Sequence, residues 1–230
     1  MQQTLFAFSM IALTVIAYLT MNKIYKRYPN PFLIPALSAT FIVVVILLLC
    51  HISYTDYMIG GQWIHSFLGP SVVALAYPLY KQREFLMKNL FPIVSGVLIG
   101  SMTGMVSVVV FAKLFHIDEG FILSIIPKSI TTPVAIEIAK SLGSNPSTTI
   151  ISVMFAGLSG AIIAPSILKL ARVHSPIGRG IALGSASHAI GTAKAAEYSE
   201  LTFSISSVTM TLSAIIGSFL GPLIVWMFHM

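Results

Sequence analysis

Residues 124–142 read SIIPKSITTPVAIEIAKSL, so that two lysines, a glutamate, two prolines and five hydroxyl side chains interrupt sequence that is otherwise almost pure hydrocarbon. Ionisable groups at membrane depth are costly and are kept where they have a partner or a task, so a polar, helix-breaking stretch of this kind marks a candidate binding site. A second stretch of the same character follows at residues 184–200, GSASHAIGTAKAAEYSE. The two are read as a functional pair.

The surrounding sequence is that of an integral membrane protein. Of 230 residues, 56% are hydrophobic and 9% charged, and the mean hydropathy is +0.91; a soluble chain could not cover that much apolar surface. No soluble domain is left over. The expectation is one transmembrane domain over residues 1–230, with N-terminal helices in 1–118 and two pseudo-repeated units in 119–230. A net charge of +6 does not point to nucleic acid here, because the basic residues sit in short loops between apolar runs, where they set topology and meet anionic head groups. Cys50 has no disulfide partner and reads as a packed small hydrophobe. No metal site and no cofactor are expected.

A first, uncleaved span is expected over Leu5–Met21, since no charged n-region or small-residue cleavage site is present. About 17 apolar residues are the lower limit for crossing a bilayer. Phe32–Ile52 reads as a second span with Pro31 and Pro35 near its start, where a helix tolerates proline. Tyr54–Gln62 reads as a polar turn containing Asp56. A third span runs on to Tyr80 and is broken or kinked by Gly69-Pro70 and Pro78. The fourth, Leu90–Leu114, carries Gly96, Gly100 and Gly104 on one face, the pattern of close helix packing.

Applying the positive-inside rule to these spans produces an informative conflict. Lys23, Lys26 and Arg27 make the first loop cytoplasmic, Lys81, Arg83 and Lys88 do the same for the third, and Asp56, Asp118 and Glu119 mark the loops outside. If residues 121–142 crossed once, the next span, Ser147–Leu170, would end outside, yet it leads into Lys169, Arg172 and Arg179. The conflict disappears if the central stretch enters and leaves on the outer side, with its irregular backbone satisfied by protein or a water-filled cavity. Sliding the sequence by 57 residues then lays Ser147–Leu168 over Ser204–Val225, with Gly160 on Gly217, Pro165 on Pro222, Thr131 on His188 and Glu137 on Lys194. This is the pattern of an inverted repeat, with a site at the interface of two broken elements. The expected fold is therefore an all-helical polytopic membrane protein with about six full spans and two oppositely entering re-entrant elements, both termini outside. Gly96–Gly104 and Gly217–Gly221 are candidate faces for a homodimer or higher oligomer.

These residues also carry a family resemblance. PKSITTPVAIEIAKSLG, followed by GLSGAIIAPSIL and GSASHAIGTAKAAE, resembles the LrgB/CidB family over essentially the whole chain, most specifically between Ile126 and Glu197. The resemblance implies a multi-pass protein of the cell membrane working with a small LrgA/CidA-like membrane partner. It implies either carriage of small monocarboxylates such as pyruvate or glycolate, or holin- or antiholin-like modulation of murein hydrolase activity and autolysis. The family's PKS-x-T-T-P pattern falls on Pro127, Lys128, Ser129, Thr131, Thr132 and Pro133, and its S-H-x-x-G-T pattern on Ser187, His188, Gly191 and Thr192.

The chemistry of those residues suits a small anion. Lys128 supplies a charge-assisted hydrogen bond to a carboxylate, Ser129, Thr131 and Thr132 supply hydroxyl donors, and helix N-termini after the breaks at Pro127, Pro133 and Gly191 present free N–H groups. His188 is the candidate for a proton-linked step. The competing reading has Lys128 and Lys140 snorkelling to the head groups. Glu137, Lys194 and Glu197 form a structural ion-pair set that cancels buried charge, or else touch substrate. An enzyme reading is also open: Gly157-Leu158-Ser159-Gly160 matches the GxSG of rhomboid-type intramembrane proteases, with His188 as base, although the same residues equally make a helix-packing face. The expectation is a non-enzyme.

Overall fold

The computed structural model describes residues 2–28, 30, 33–74 and 76–230, and all regular structure among them is helical. In chain order the α-helices are α1 (Gln2–Arg27), α2 (Pro35–Leu49), α3 (Tyr54–Ser66), α4 (Leu68–Ala74), α5 (Ala76–Lys81), α6 (Arg83–Lys88), α7 (Leu90–Leu114), α8 (Glu119–Ile125), α9 (Thr132–Ser141), α10 (Pro146–Leu170), α11 (Pro176–Ala195) and α12 (Glu200–Met227). A 3₁₀ turn, Ile126–Ser129, joins α8 to α9. Helices α1, α7, α10 and α12 are long and apolar enough to cross a membrane. At 1.5 Å per residue the 25 residues of α7 and of α10 reach about 37 Å, against a hydrocarbon core of about 30 Å. The 15 residues of α2 reach about 22 Å.

Two compact units divide the chain, Met1–Ser71 and Val72–Met230. In the first, α1 packs on α2 and α3, with Ala17, Met21, Ala39 and Val43 buried between α1 and α2. A Cβ on Gly60 would strike the backbone of Ala7, so α3 lies directly on α1 there, and Thr14 and Tyr57 share a 2.9 Å hydroxyl contact. In the second unit α12 packs on α7 and α11, and α10 on α9 and α11. Its core is built from Met105, Val109, Ile122, Ile130, Val153 and Ile224.

Several sequence expectations need correction. The stretch Tyr54–Gln62 is helical rather than a polar turn, because Ser53 caps it: its hydroxyl accepts from the Asp56 N–H at 3.1 Å and donates to the Asp56 carboxylate at 2.6 Å. The expected third span is broken, as its sequence implies, but at Phe67 between α3 and α4 rather than at Gly69-Pro70, which lie in the first turn of α4, where proline is tolerated. Cys50 is exposed at the end of α2, not packed. Pro31 and Phe32 fall outside the described residues.

Five helices end in the same way. After α2, α7, α9, α10 and α12 the chain turns through a positive φ at His51, His116, Gly143, Arg172 and His229. The next N–H reaches back to the carbonyl of Leu47, Ala112, Ala139, Leu168 or Val225. This Schellman closure satisfies carbonyls that a helix end otherwise leaves bare.

The glycine face of α7 is used inside the chain. A Cβ on Gly96 would sit 2.9 Å from Ile181 Cγ2, one on Gly100 3.3 Å from Ser185 Oγ, and one on Gly104 3.8 Å from Ser129 Oγ. Gly217 faces Ile130, and Gly221 faces Ile138. Gly96, Gly217 and Gly221 are therefore covered by packing within the chain, whereas Gly100 and Gly104 border an open cleft.

Candidate functional site

Each polar stretch folds into a hairpin. The first runs in along α8, turns at Ile126–Ser129, and returns along α9 to the start of α10. Closure is explicit: the Asn145 N–H donates to Ser124 Oγ at 3.2 Å, and Thr149 Oγ1 donates to the Ser124 carbonyl at 2.8 Å. Two prolines make the turn. Pro127 has ψ 15, which unwinds the helix, and Pro133 starts α9 where its missing N–H costs nothing.

The second hairpin lies within α11. Ser187 (φ −127, ψ 15) and His188 (φ 41, ψ −133) leave helical geometry, and the chain reverses. In a straight helix residues 183 and 191 would stand about 12 Å apart, yet a Cβ on Gly191 would collide with the Leu183 carbonyl and lie 2.6 Å from Ser187 Cβ. Further out, the Arg179 guanidinium stacks 4.9 Å from the Tyr198 ring, and Leu183 and Ala195 share one buried cluster. Only glycine at 191 permits so close a return.

The two hairpins meet α10 and α12 in matching ways. A Cβ on Gly160 of α10 would overlap Ser187 Oγ at the second tip, and a Cβ on Gly217 of α12 would overlap Ile130 Cδ1 at the first. Ser187 and Ile130 differ by 57 residues, as do Gly217 and Gly160. Each hairpin tip therefore rests on a glycine of the long helix that follows the other hairpin.

Two clefts lie along one face of α10 and share Lys128, Ala156 and Ser159. The first, of about 350 Å³, runs from Lys128, Ser129 and Ser187 past Gly160 toward Ile167 and Leu168, with Gly100 and Gly104 of α7 in its wall. The other, of about 640 Å³, runs in the opposite direction along α10, toward Thr148, with Phe121, Ile125 and Ile151 in its wall. Between Thr148 and Leu168 α10 rises about 30 Å, the thickness of a bilayer core. Lys128 sits midway along this path. Its side chain is half-buried, and the ion pairs among the described residues, Lys140–Glu137 and Lys194–Glu197, do not involve it. An ammonium outside those ion pairs, in a groove that Ser129 and Ser187 also line, suits an anion.

Of the residues singled out from sequence, Lys128, Ser129 and Ser187 come together in the first cleft. Thr131 is buried at the N-cap of α9, where its carbonyl accepts from Ala135 N–H at 2.9 Å, and Thr132 and Pro133 form the first turn. Thr192 is buried against Ser206, hydroxyl to hydroxyl at 3.0 Å, and Gly191 packs against its own hairpin. None of Thr131, Thr132, Pro133, Gly191 and Thr192 lines either cleft. His188 is 3% exposed, and its Nε2 lies 2.9 Å from the Val153 carbonyl. A carbonyl only accepts, so Nε2 carries a proton and donates it; the ring fills the space left by Gly157.

Of the expected charge set, Glu137 bonds Lys140 at 2.8 Å in an exposed pair, and Lys194, which is partly buried, bonds Glu197 at 2.5 Å. The GxSG residues also have other occupations: Ser159 donates to the Phe155 carbonyl at 2.6 Å, while Gly157 receives the His188 ring. Sequence reading missed that α10 itself is the wall of the groove. The signal was present in the stripe Ala156, Gly160 and Ala164, small residues four apart on one helix face.

Comparison with known proteins gives a consistent picture. A model of the LrgB-like family matches residues 14–227. The chain is 59% identical over 229 residues to the Uncharacterized protein YxaC of Bacillus subtilis, covering 100% of both. It is 40% identical over 223 residues to the Holin-like protein CidB of Staphylococcus aureus, covering 97% of each. The Uncharacterized protein YwbG of Bacillus subtilis is 37% identical over 210 residues, which are 91% of this chain and 93% of that one. No solved structure matches.

Proposed function

The chain belongs to the LrgB-like family, and from that premise we propose that it is a multi-pass carrier of the cell membrane, moving small monocarboxylates such as pyruvate or glycolate along the groove of α10. The observation that carries this reading is the position of Lys128, an unpaired cation shared by two clefts that together run the length of a membrane-crossing helix. The two hairpins act as re-entrant elements from opposite faces, within about six spans, and residues 119–230 form an inverted repeat whose tips flank the substrate. Alternating access follows when one repeat rocks against the other. The chain needs no cofactor and performs no covalent chemistry, and it works beside a small LrgA/CidA-like membrane partner.

The test is uptake of labelled pyruvate by proteoliposomes with and without that partner. Lys128→Ala removes a charge-assisted contact worth about 1.5–3 kcal/mol, so affinity should fall roughly ten- to a hundredfold while the protein still folds. Wild-type affinity in Lys128→Ala would refute the assignment of the site. The name of the CidB relative, a holin-like protein, favours a second reading, in which the chain modulates murein hydrolase activity and autolysis through a partner without moving substrate. That reading takes over if no short carboxylate moves even with the partner present.

A further inference from the structure

The walls of the clefts say more about the ligand than the cation does. Among the described residues, Lys128 is the sole charged one lining either cleft. Ser129, Ser159 and Ser187 line the first cleft at the end that Lys128 borders, but beyond Gly160 it is lined by Ile163, Ile167, Leu168 and Leu183 with small alanines between them. Polar character is therefore confined to one end. A carboxylate at Lys128 that extends its chain into the first cleft passes the serines first and meets hydrocarbon beyond Gly160.

Resting on the carrier reading above, we propose that this groove selects monoanionic carboxylates whose carbons beyond C2 are apolar, tolerating a 2-oxo group and rejecting a 3-hydroxyl or a second carboxylate. A hydroxyl at C3 would lose its water without gaining a partner, and a second carboxylate would sit unpaired against isoleucine and leucine. A methylene at the same place leaves water for a cleft that already has the shape to receive it. Straight-chain 2-oxo acids should bind more tightly as they lengthen, by about fourfold for each carbon added. Gly100 and Gly104 of α7 border the same cleft, and the gain stops when the chain outgrows it.

The experiment is competition against labelled pyruvate in proteoliposomes of the full chain, with its partner if flux requires one. The competitors are 2-oxobutyrate and 2-oxopentanoate, then glycerate, malonate and succinate. All of the 2-oxo acids stay ionised at neutral pH, so leakage through lipid does not mimic transport. The expected result is a half-inhibitory concentration falling about fourfold from pyruvate to 2-oxobutyrate and again to 2-oxopentanoate, with glycerate and the dicarboxylates weaker than pyruvate by tenfold or more. Ile163→Thr keeps the β-branch but replaces the Cγ1–Cδ1 arm by a hydroxyl in the wall, and should flatten the chain-length series. A flat wild-type series, or glycerate and succinate competing as well as 2-oxobutyrate, overturns the selectivity while leaving the carrier reading intact. Absence of any pyruvate uptake overturns the carrier reading and this inference with it.

Discussion

Replacing Gly160 by alanine probes the contact on which the second hairpin tip rests. The added methyl would overlap Ser187 Oγ and stand 2.9 Å from Ser187 Cβ. The hydroxyl can rotate away, but the Cβ cannot, so the tip must retreat from α10 by roughly half an ångström to restore an ordinary contact of 3.4 Å. Overpacking of this size costs about 1–3 kcal/mol, which for a chain of this length lowers a thermal midpoint by several degrees. The second substitution is Ser187→Gly, which removes both offending atoms. Alone it should cost about 0.5–1 kcal/mol through backbone entropy, but in the Gly160→Ala background it should restore stability, giving a coupling energy of opposite sign to the single effects. The assay is thermal unfolding of the four purified proteins in one detergent. Gly160→Ala melting with the wild type, or a double variant no more stable than Gly160→Ala, would refute the tip-on-glycine contact and with it the matched arrangement of the hairpins. Gly217→Ala should be milder, since the atom it overlaps is the mobile Cδ1 of Ile130, with Cγ1 at 3.0 Å.

Two further outcomes follow from the same packing. Gly184→Ala drives a methyl into the Ser206 carbonyl and the Thr209 hydroxyl, with Met210 N at 3.1 Å; backbone cannot rotate aside, so loss of folded protein on size-exclusion chromatography is expected, whereas Gly104→Ala, with its nearest neighbour at 3.8 Å, should fold normally. His188→Gly relieves the φ of 41 but deletes the bond to the Val153 carbonyl, while His188→Ala deletes the bond and keeps the strain of about 1–3 kcal/mol; His188→Gly should therefore be the more stable of the two in the same melting assay, and an unchanged pH profile of flux in His188→Gln would assign the ring to structure rather than to proton coupling.

Much of this arrangement was legible from composition and spacing because it depends on local chemistry. Pro127 and Pro133 dictate a turn wherever they fall, and the small residues of α7 at 96, 100 and 104 dictate close packing whatever their partner. Gly160 and Gly217, which the offset of 57 residues lays over one another, each lie under a hairpin tip. What could not be read is the direction in which a side chain points once the backbone reverses. His188 and Ser187 are neighbours, yet Ser187 lines the cleft and His188 turns into α10; a residue at φ 41 carries its side chain away from the helical register that sequence periodicity assumes. The offset of 57 residues lays Glu137 over Lys194, but each has an opposite charge three residues away, and a partner so near in the chain costs less ordering than one on another element. The helix over Tyr54–Ser66 was missed because its polar residues concealed the Ser53 and Asp56 cap.

The histidines that close α2, α7 and α12 are positions where the sequence has left stability unused. His51, His116 and His229 each hold a left-handed φ of 51 to 53, a conformation that an L-residue reaches at a cost and glycine reaches freely. None of them lines either cleft, and they stand at separate helix ends, so their contributions should add. A triple variant, His51→Gly, His116→Gly and His229→Gly, should gain about 0.5–1 kcal/mol at each site. It would survive detergent extraction longer with its groove untouched, and so would supply material for crystallisation or imaging.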